Sequence, residues 1–288
     1  SKDAPWRSQR HQTFLGSLYA CHRDAEDKQE EAGVFDLTGK TILVTGASKG
    51  IGAAIVELLG QQGADVVAHY GSDRAGAEAA TASIPKERLC LLAADLAKPA
   101  AAGHLWRDAL AWKGRIDVLV NNAAMMAFEG GIDDGDTVWD KVWADTLQVN
   151  VKAPADLMRA AVRHYRQSGG GTIVTVSSWV AQRGSTNPVT IAYAASKAAT
   201  MATTKTIARA YAKDKVLAYI IAPGVVRTRL SENFAATQGG EQAVTAGLAM
   251  GEWVPPGDIA ALVAFLATGT CRHLSGATLD VNGATYVR

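Results

Sequence analysis

The sequence of 288 residues predicts an α/β protein, a single doubly wound domain over residues 35–288 in which helices cover both faces of a parallel sheet of about seven strands. Three observations lead there. From Leu37 onward, short apolar runs alternate with helix-length amphipathic stretches, the pattern of successive β-α-β units. The apolar runs are flanked by Gly, Asn, Asp or Pro, as expected of short strands buried on both faces. Composition agrees: 48% hydrophobic and 20% charged residues, with 28 Gly and 8 Pro, can bury a sizeable core and exclude a disordered or fibrous chain.

The expected strands, in order, are Thr41 to Thr45 (TILVT), Asp65 to Tyr70 (DVVAHY), Leu91 to Ala94, Val118 to Asn121, Thr172 to Ser177 (TIVTVS), Val216 to Ala222 (VLAYIIA) and Ala277 to Val281. Helices fall between them. Ile51, Ile55 and Leu58 recur at three- and four-residue spacing and predict a helix from Ile51 to Gly60. Trp139, Trp143, Leu147 and Val151 mark a stripe on a second helix, expected to face the core. No internal repeat or second change of composition divides residues 35–288.

Lys and Arg total 29 against 28 Asp and Glu, so no basic field favours a nucleic-acid partner. Cys21, Cys90 and Cys271 are odd in number and far apart, which argues against a disulfide framework and structural zinc. His69, His104, His164 and His273 show no metal-ligand spacing, and no metal is expected. No apolar run approaches the roughly 18 residues of a membrane span. Residues 1–34 read as a polar leader. Within it, Thr13 to Cys21 faintly resembles a lipoprotein cleavage site, but its apolar core is short and Tyr19 is bulky. A soluble, cytoplasmic protein is the expectation.

Chemistry concentrates at two motifs. Thr45-Gly46-Ala47-Ser48-Lys49-Gly50-Ile51-Gly52 follows the first strand and opens the first helix. Glycines at such a turn let a pyrophosphate approach the backbone, and the free amides of the helix start point at the anion. The second is Tyr193-Ala194-Ala195-Ser196-Lys197. Four-residue spacing puts Tyr193 and Lys197 on one helix face, where an ammonium can stabilise a phenolate and bring a phenol toward the working pH.

The TGxxxGxG and YxxxK spacings resemble those of the short-chain dehydrogenase/reductase family, whose landmarks recur in order from Phe35 to Arg288. Asp95-Leu96 resembles the pair that contacts adenine. Asn121-Asn122-Ala123-Ala124 is similar to the family's NNAG turn, with Ala124 for the last Gly. Pro223-Gly224, Val226 and Thr228 resemble the segment that closes over the nicotinamide, and Asn282-Gly283-Ala284 is a looser match to an acidic-Gly-Gly turn. The resemblance implies a Rossmann-type fold and a catalytic set of Asn150, Ser178, Tyr193 and Lys197. In it Ser178 holds the substrate oxygen, Tyr193 exchanges a proton, Lys197 tunes Tyr193 and grips the ribose, and Asn150 supports a water on the proton path. Ser177 is the alternative to Ser178. It further implies a cofactor site of Gly46, Ser48, Lys49, Gly50, Ile51, Gly52, Tyr70, Ser72, Asp95, Leu96, Asn122, Ala123, Tyr193, Lys197, Pro223, Gly224, Val226 and Thr228.

The expected activity is NAD(P)-dependent hydride transfer to or from a carbonyl or secondary alcohol, of 3-oxoacyl thioester, ketone or sugar type. A non-catalytic dinucleotide sensor is the alternative, disfavoured because a binder has no need of Ser178, Tyr193 and Lys197 together. NADP is expected over NAD, since no carboxylate stands at Tyr70, Lys49 offers a cation, and Ser48 or Ser72 can add hydrogen bonds. Arg229 to Trp253 reads as a mobile lid. Small residues on the Tyr193 helix and the stripe near Asn150 offer faces for a two-fold interface, and the family resemblance implies a homodimer or homotetramer.

Overall fold

A computed structural model describes residues 35–288; the leader expected over residues 1–34 and its cleavage-like stretch lie outside the described residues. The chain forms one α/β domain whose seven strands run in the order β3-β2-β1-β4-β5-β6-β7, every neighbouring pair parallel. The strands are β1 (Thr41–Val44), β2 (Asp65–Tyr70), β3 (Leu89–Ala93), β4 (Val118–Asn121), β5 (Gly171–Val176), β6 (Val216–Pro223) and β7 (Thr278–Val281). Because β1 lies between β2 and β4, successive crossovers leave it in opposite directions, and a crevice opens beyond the carboxyl ends of β1 and β4.

Strand alternation divides the core in two. Ile42, Val44, Val66, Ala68, Val118 and Val120 face a layer built by α1 (Gly50–Gln61) and α10 (Pro256–Thr268), where Ile55, Leu59, Ile259 and Val263 are fully buried. Leu43, Val67, Leu119 and Ile173 face α3 (Ala101–Lys113) and α5 (Ala153–Ser168), meeting Leu105, Leu157, Met158 and Tyr165. Truncating a fully buried leucine such as Leu59 to Ala costs about 2–5 kcal/mol. The end of α1 is closed by Arg88, whose guanidinium donates to the carbonyls of Gly60 at 3.1 Å and Ala64 at 3.2 Å. Between these lie α2 (Arg74–Ala80), α6 (Val180–Arg183), α7 (Ile191–Ala210), α8 (Arg229–Ala236) and α9 (Glu241–Ala246).

The stripe of Trp139, Trp143, Leu147 and Val151 departs from its expected core position. The helix α4 (Asp136–Leu147) passes into a π-helical turn at Gln148–Lys152 before α5 begins. Its buried residues are Val142 and Thr146, followed by Asn150 in the turn, whereas Leu147 is 38% exposed and the two tryptophans are half-buried. The smaller side chains thus face inward where α4 packs on the small-residue helix α7. The wide turn adds a residue that hydrophobic spacing cannot reveal.

Candidate active site

A cleft of about 750 Å³ runs across the carboxyl ends of the central strands, a size suited to a large ligand. The glycine-rich turn between β1 and α1 forms its floor: Gly46, Ser48, Lys49, Gly50, Ile51 and Gly52 all line it. Two of the glycines are fixed by close approach. A Cβ on Gly52 would lie 1.9 Å from the Gly46 carbonyl oxygen, and one on Gly46, at φ +71°, would lie 2.9 Å from the Ala123 Cα. The turn is therefore locked against the segment after β4, where Asn122 and Ala123 also line the cleft. The Asn122 amide donates to the carbonyls of Thr45 and Gly46, while the backbone N–H groups of Asn122 and Ala123 donate to the Thr45 hydroxyl. With side chains excluded at the start of α1, a phosphate-bearing dinucleotide fits this cradle.

His69 is a support that sequence reasoning missed as part of the site, and the hydrogen bonds that Thr45 makes from the start of the turn motif were equally hidden. His69 sits at the end of β2, where its Nδ1 accepts from the Gly46 N–H at 3.1 Å and its Nε2 lies 2.9 Å from the Ala94 carbonyl. That pairing requires the neutral ring with the proton on Nε2. Burial lowers the His69 pKa, against the opposing Ala94 hydrogen bond. The ring thus ties the turn to the end of β3. Only the presence of a polar residue in an apolar strand hinted at this.

At the other end of the turn, Ser48, Lys49, Ser72, Asp95 and Leu96 line the cleft as anticipated, joined by Asp73. Lys49 is exposed. Asp73 caps α2, accepting from the Gly76 N–H at 2.9 Å, and its carbonyl accepts from the Ser48 hydroxyl at 2.8 Å. Asp95 accepts from the Ala97 N–H and lies 3.8 Å from Lys98. Tyr70, expected beside the ribose, is not brought to the cleft. It is buried at 8% exposure, while its neighbours His69 and Gly71 line the cleft. The pleat accounts for this, because successive side chains of a strand point to opposite faces.

At the centre of the cleft, Ser178, Tyr193 and Lys197 converge on the same walls. Ser178 follows β5 and precedes α6, and it is buried at 8% exposure. Ser177 also lines the cleft, but its hydroxyl donates to the Lys197 carbonyl at 3.0 Å, which leaves Ser178 to face Tyr193. Tyr193 and Lys197 share one face of α7, with the Lys197 ammonium 5.6 Å from the Tyr193 ring centre. The ammonium is buried and donates to the Val176 carbonyl at 2.9 Å. Burial brings Lys197 down to about 8. Burial pushes Tyr193 up to about 12, with a hydrogen bond to Ser178 pulling the other way.

Asn150 stands behind this group and does not line the cleft. Its Oδ1 accepts from the Met125 N–H at 2.8 Å, and its Nδ2 donates to the Met125 carbonyl at 2.8 Å and to the Ser196 hydroxyl at 3.0 Å. The Ser196 hydroxyl in turn donates to the Tyr193 carbonyl. The side chain of Asn150 thus joins the segment after β4 to α7.

Pro223, Gly224, Val226 and Thr228 follow β6 and line the remaining wall. Gly224 is packed against Asn282, whose amide closes a turn onto the Tyr286 backbone. The expected lid is built from α8 and α9, and the chain returns where Val226 bridges Val254. Its neck is pinned by Arg227, which contacts Glu241 at 3.0 Å and the Trp253 ring at 5.1 Å, and by Trp253, which donates to Thr245.

The cleft thus combines a glycine-rich cradle with a buried Ser178, Tyr193 and Lys197, and known proteins resemble the chain over most of its length. The family profile described as enoyl-(acyl carrier protein) reductase matches residues 46–284. The chain is 34% identical to human dehydrogenase/reductase SDR family member 4 over 254 residues, which is 88% of this chain and 89% of that one. It is 32% identical to the 3-oxoacyl-[acyl-carrier-protein] reductase FabG of Rickettsia prowazekii, over 87% of this chain and 98% of the relative. Among solved structures, the NADP-bound 3-oxoacyl (acyl-carrier-protein) reductase of Agrobacterium tumefaciens C58 superposes with a TM-score of 0.78 at 31% identity, covering 87% of this chain and 95% of that one. The chain belongs to the short-chain dehydrogenase/reductase family of NAD(P)-dependent oxidoreductases, which act on alcohols and ketones.

Proposed function

We propose that the protein is an NADP(H)-preferring carbonyl reductase and alcohol dehydrogenase, acting on a ketone, a 3-oxoacyl thioester or a sugar-type carbonyl. One observation carries the reading: Ser178, Tyr193 and Lys197 line one cleft together with the glycine-rich turn. A sensor that only bound the nucleotide would need no such group.

In this reading Gly46, Gly50, Ile51 and Gly52 hold the pyrophosphate, Asp95, Leu96, Asn122 and Ala123 hold the adenosine half, and Pro223, Gly224, Val226 and Thr228 hold the nicotinamide half. When bound, the nicotinamide supplies or accepts the hydride. In the reducing direction Ser178 donates a hydrogen bond to the carbonyl oxygen and polarises it, and Tyr193 donates the proton that turns that oxygen into a hydroxyl. Lys197 supplies positive charge close to the Tyr193 ring, which stabilises the phenolate left behind, and grips the nicotinamide ribose. Asn150 acts as a positioning residue: through Met125 and Ser196 it fixes α7 relative to the turn after β4.

The preference for NADP(H) rests on Lys49, exposed on the cleft wall and able to pair with a 2′-phosphate, and on Ser48 and Ser72 beside it. Asp73 on the same wall opposes it and limits the preference, although its carboxylate is partly engaged in capping α2. A charge-assisted contact is worth about tenfold to a hundredfold in affinity. The test has two parts. Ketones, 3-oxoacyl thioesters and sugar alcohols are screened by nicotinamide absorbance, and dissociation constants for NADPH and NADH are compared in wild type and Lys49→Ala. Turnover of one class, with a loss confined to NADPH in the variant, is expected. Equal affinities in wild type contradict the NADP assignment, and an inert but cofactor-binding protein favours the sensor.

The half-buried Trp139 and Trp143 and the exposed Leu147 on α4, beside the alanine-rich α7, support a homodimer or homotetramer built on these helices. The free thiols of Cys90 and Cys271 accord with a cytoplasmic location.

A further inference from the structure

We propose that Arg229, the first residue of α8, pairs with the pyrophosphate of the dinucleotide, so that the lid docks on the cofactor through a charged contact. The proposal rests on the dinucleotide reading of the cleft given above. Arg229 lines that cleft, is exposed, and its side chain makes no ion pair or hydrogen bond among the described residues. Its near neighbour Arg227 differs, being held by Glu241 and Trp253 outside the cleft wall. The two aspartates on the wall are engaged elsewhere, Asp73 in capping α2 and Asp95 with Ala97 and Lys98. The cation at Arg229 is thus left for a ligand anion.

Position decides which anion. Thr228, immediately before Arg229, rests on the glycine-rich turn: a Cβ on Gly50 would lie 3.0 Å from the Thr228 Cγ2. The start of α8 therefore sits over the start of α1, where the free amides await a phosphate. A guanidinium on that wall would pair with the phosphates those amides hold, through the two-pronged contact that an arginine offers. This role differs from that of Lys49, which lines the cleft from the turn and reads the 2′-phosphate. Arg229 serves NADPH and NADH alike, and its contact makes lid closure follow cofactor binding. An anionic group on the substrate is the other source of the same chemistry, and the experiment separates the two.

Dissociation constants for NADPH, NADH and adenosine 2′-monophosphate are measured by fluorescence titration or calorimetry in wild type, Arg229→Ala, Arg229→Lys and Lys49→Ala. Arg229→Ala is expected to weaken NADPH and NADH by the same factor, about tenfold to a hundredfold, with the loss shrinking as salt rises. Arg229→Lys should recover part of it. Adenosine 2′-monophosphate, which lacks the pyrophosphate, should bind Arg229→Ala as it binds wild type, while Lys49→Ala weakens it. Cofactor affinities within twofold of wild type in Arg229→Ala overturn the proposal. A rise in KM confined to carboxylate-bearing or phosphorylated ketones in that variant would assign the anion to the substrate instead. Failure of wild type to bind either cofactor would bring down the dinucleotide reading itself, a result distinct from a failure of Arg229 alone.

Discussion

Lys197 holds an ammonium inside the protein with, among the described residues, a single backbone carbonyl as its hydrogen-bond acceptor. Burial takes its pKa from the usual 10.5 to about 8. Between those values the unfolded chain binds a proton that the native chain has released, so native stability rises with pH across that window. Below it the buried charge costs the fold about 3 kcal/mol, the free-energy equivalent of that fall in pKa. Lys197→Met at pH 7 is therefore expected to raise the melting temperature. The gain should be about 1–2 kcal/mol after the loss of the donor to the Val176 carbonyl, and should shrink toward pH 10. Thermal melts of both proteins at pH 7 and above pH 9 check this, and a destabilised variant at pH 7 would contradict it. The same value predicts a pH profile. The cation is the working form of Lys197, so kcat/KM for carbonyl reduction should fall as pH rises through about 8. A profile flat from pH 6 to 10 would separate Lys197 from the chemistry. That Tyr193 and Lys197 share one helix face and line one cleft was legible in the sequence from their four-residue spacing. The supporting role of His69 and the hydrogen bonds of Thr45 were not, since they join elements far apart in sequence.

The turn from β1 into α1 is the element on which the cofactor site rests, and its tolerance is set by backbone approach. Gly52 has no room for a side chain, since a Cβ would meet the Gly46 carbonyl at 1.9 Å and the Asn122 amide at 2.6 Å. Gly52→Ala should push the turn away from the segment after β4, costing about 1–3 kcal/mol and weakening both cofactors by on the order of tenfold or more. The circular dichroism spectrum should stay near that of wild type. An alanine variant with unchanged cofactor affinity would show that the turn is not the phosphate site. Strand and helix positions were readable to within a few residues because alternating β and α segments leave separate periodicities. The π-helical turn at Gln148–Lys152 was hidden, since one extra residue in a helix leaves no signal in hydrophobic spacing. Nor did hydrophobic spacing show that Val142 and Thr146, rather than Trp139, Trp143 and Leu147, form the buried face of α4. Tyr70 shows the related limit: motif position placed it near the ribose, whereas the pleat of β2 decides which of two adjacent residues reaches the cleft.

At the scale of the whole molecule, the described domain starts with Phe35, whose N–H donates to Gln62 and whose ring packs 6.4 Å from Phe265 on α10. Removal of residues 1–33 is expected to leave folding and cofactor binding intact. Loss of either in the shortened protein would make the leader structural. The half-open tryptophan pair of α4, with ring centres 5.3 Å apart, should be covered by a second copy. Light scattering at micromolar concentration is expected to give a dimer or tetramer, and a particle of 30.2 kDa, the mass of one chain, would refute it. The doubly wound fold was legible from the alternation of its segments, and the substrate was not, because the lid from Arg229 to Trp253 carries no motif that names a ligand. In the proposed mechanism Tyr193 is the proton donor beside the nucleotide cradle, and Tyr193→Phe isolates that function by removing one oxygen. In wild type and Tyr193→Phe, cofactor dissociation constants and turnover are measured together on a carbonyl substrate that the wild type reduces. The variant is expected to bind NADPH within about twofold of wild type and to lose turnover by about a thousandfold, within the range for a general acid. Retention of most of the wild-type rate would contradict the assignment of Tyr193 and the mechanism built on it.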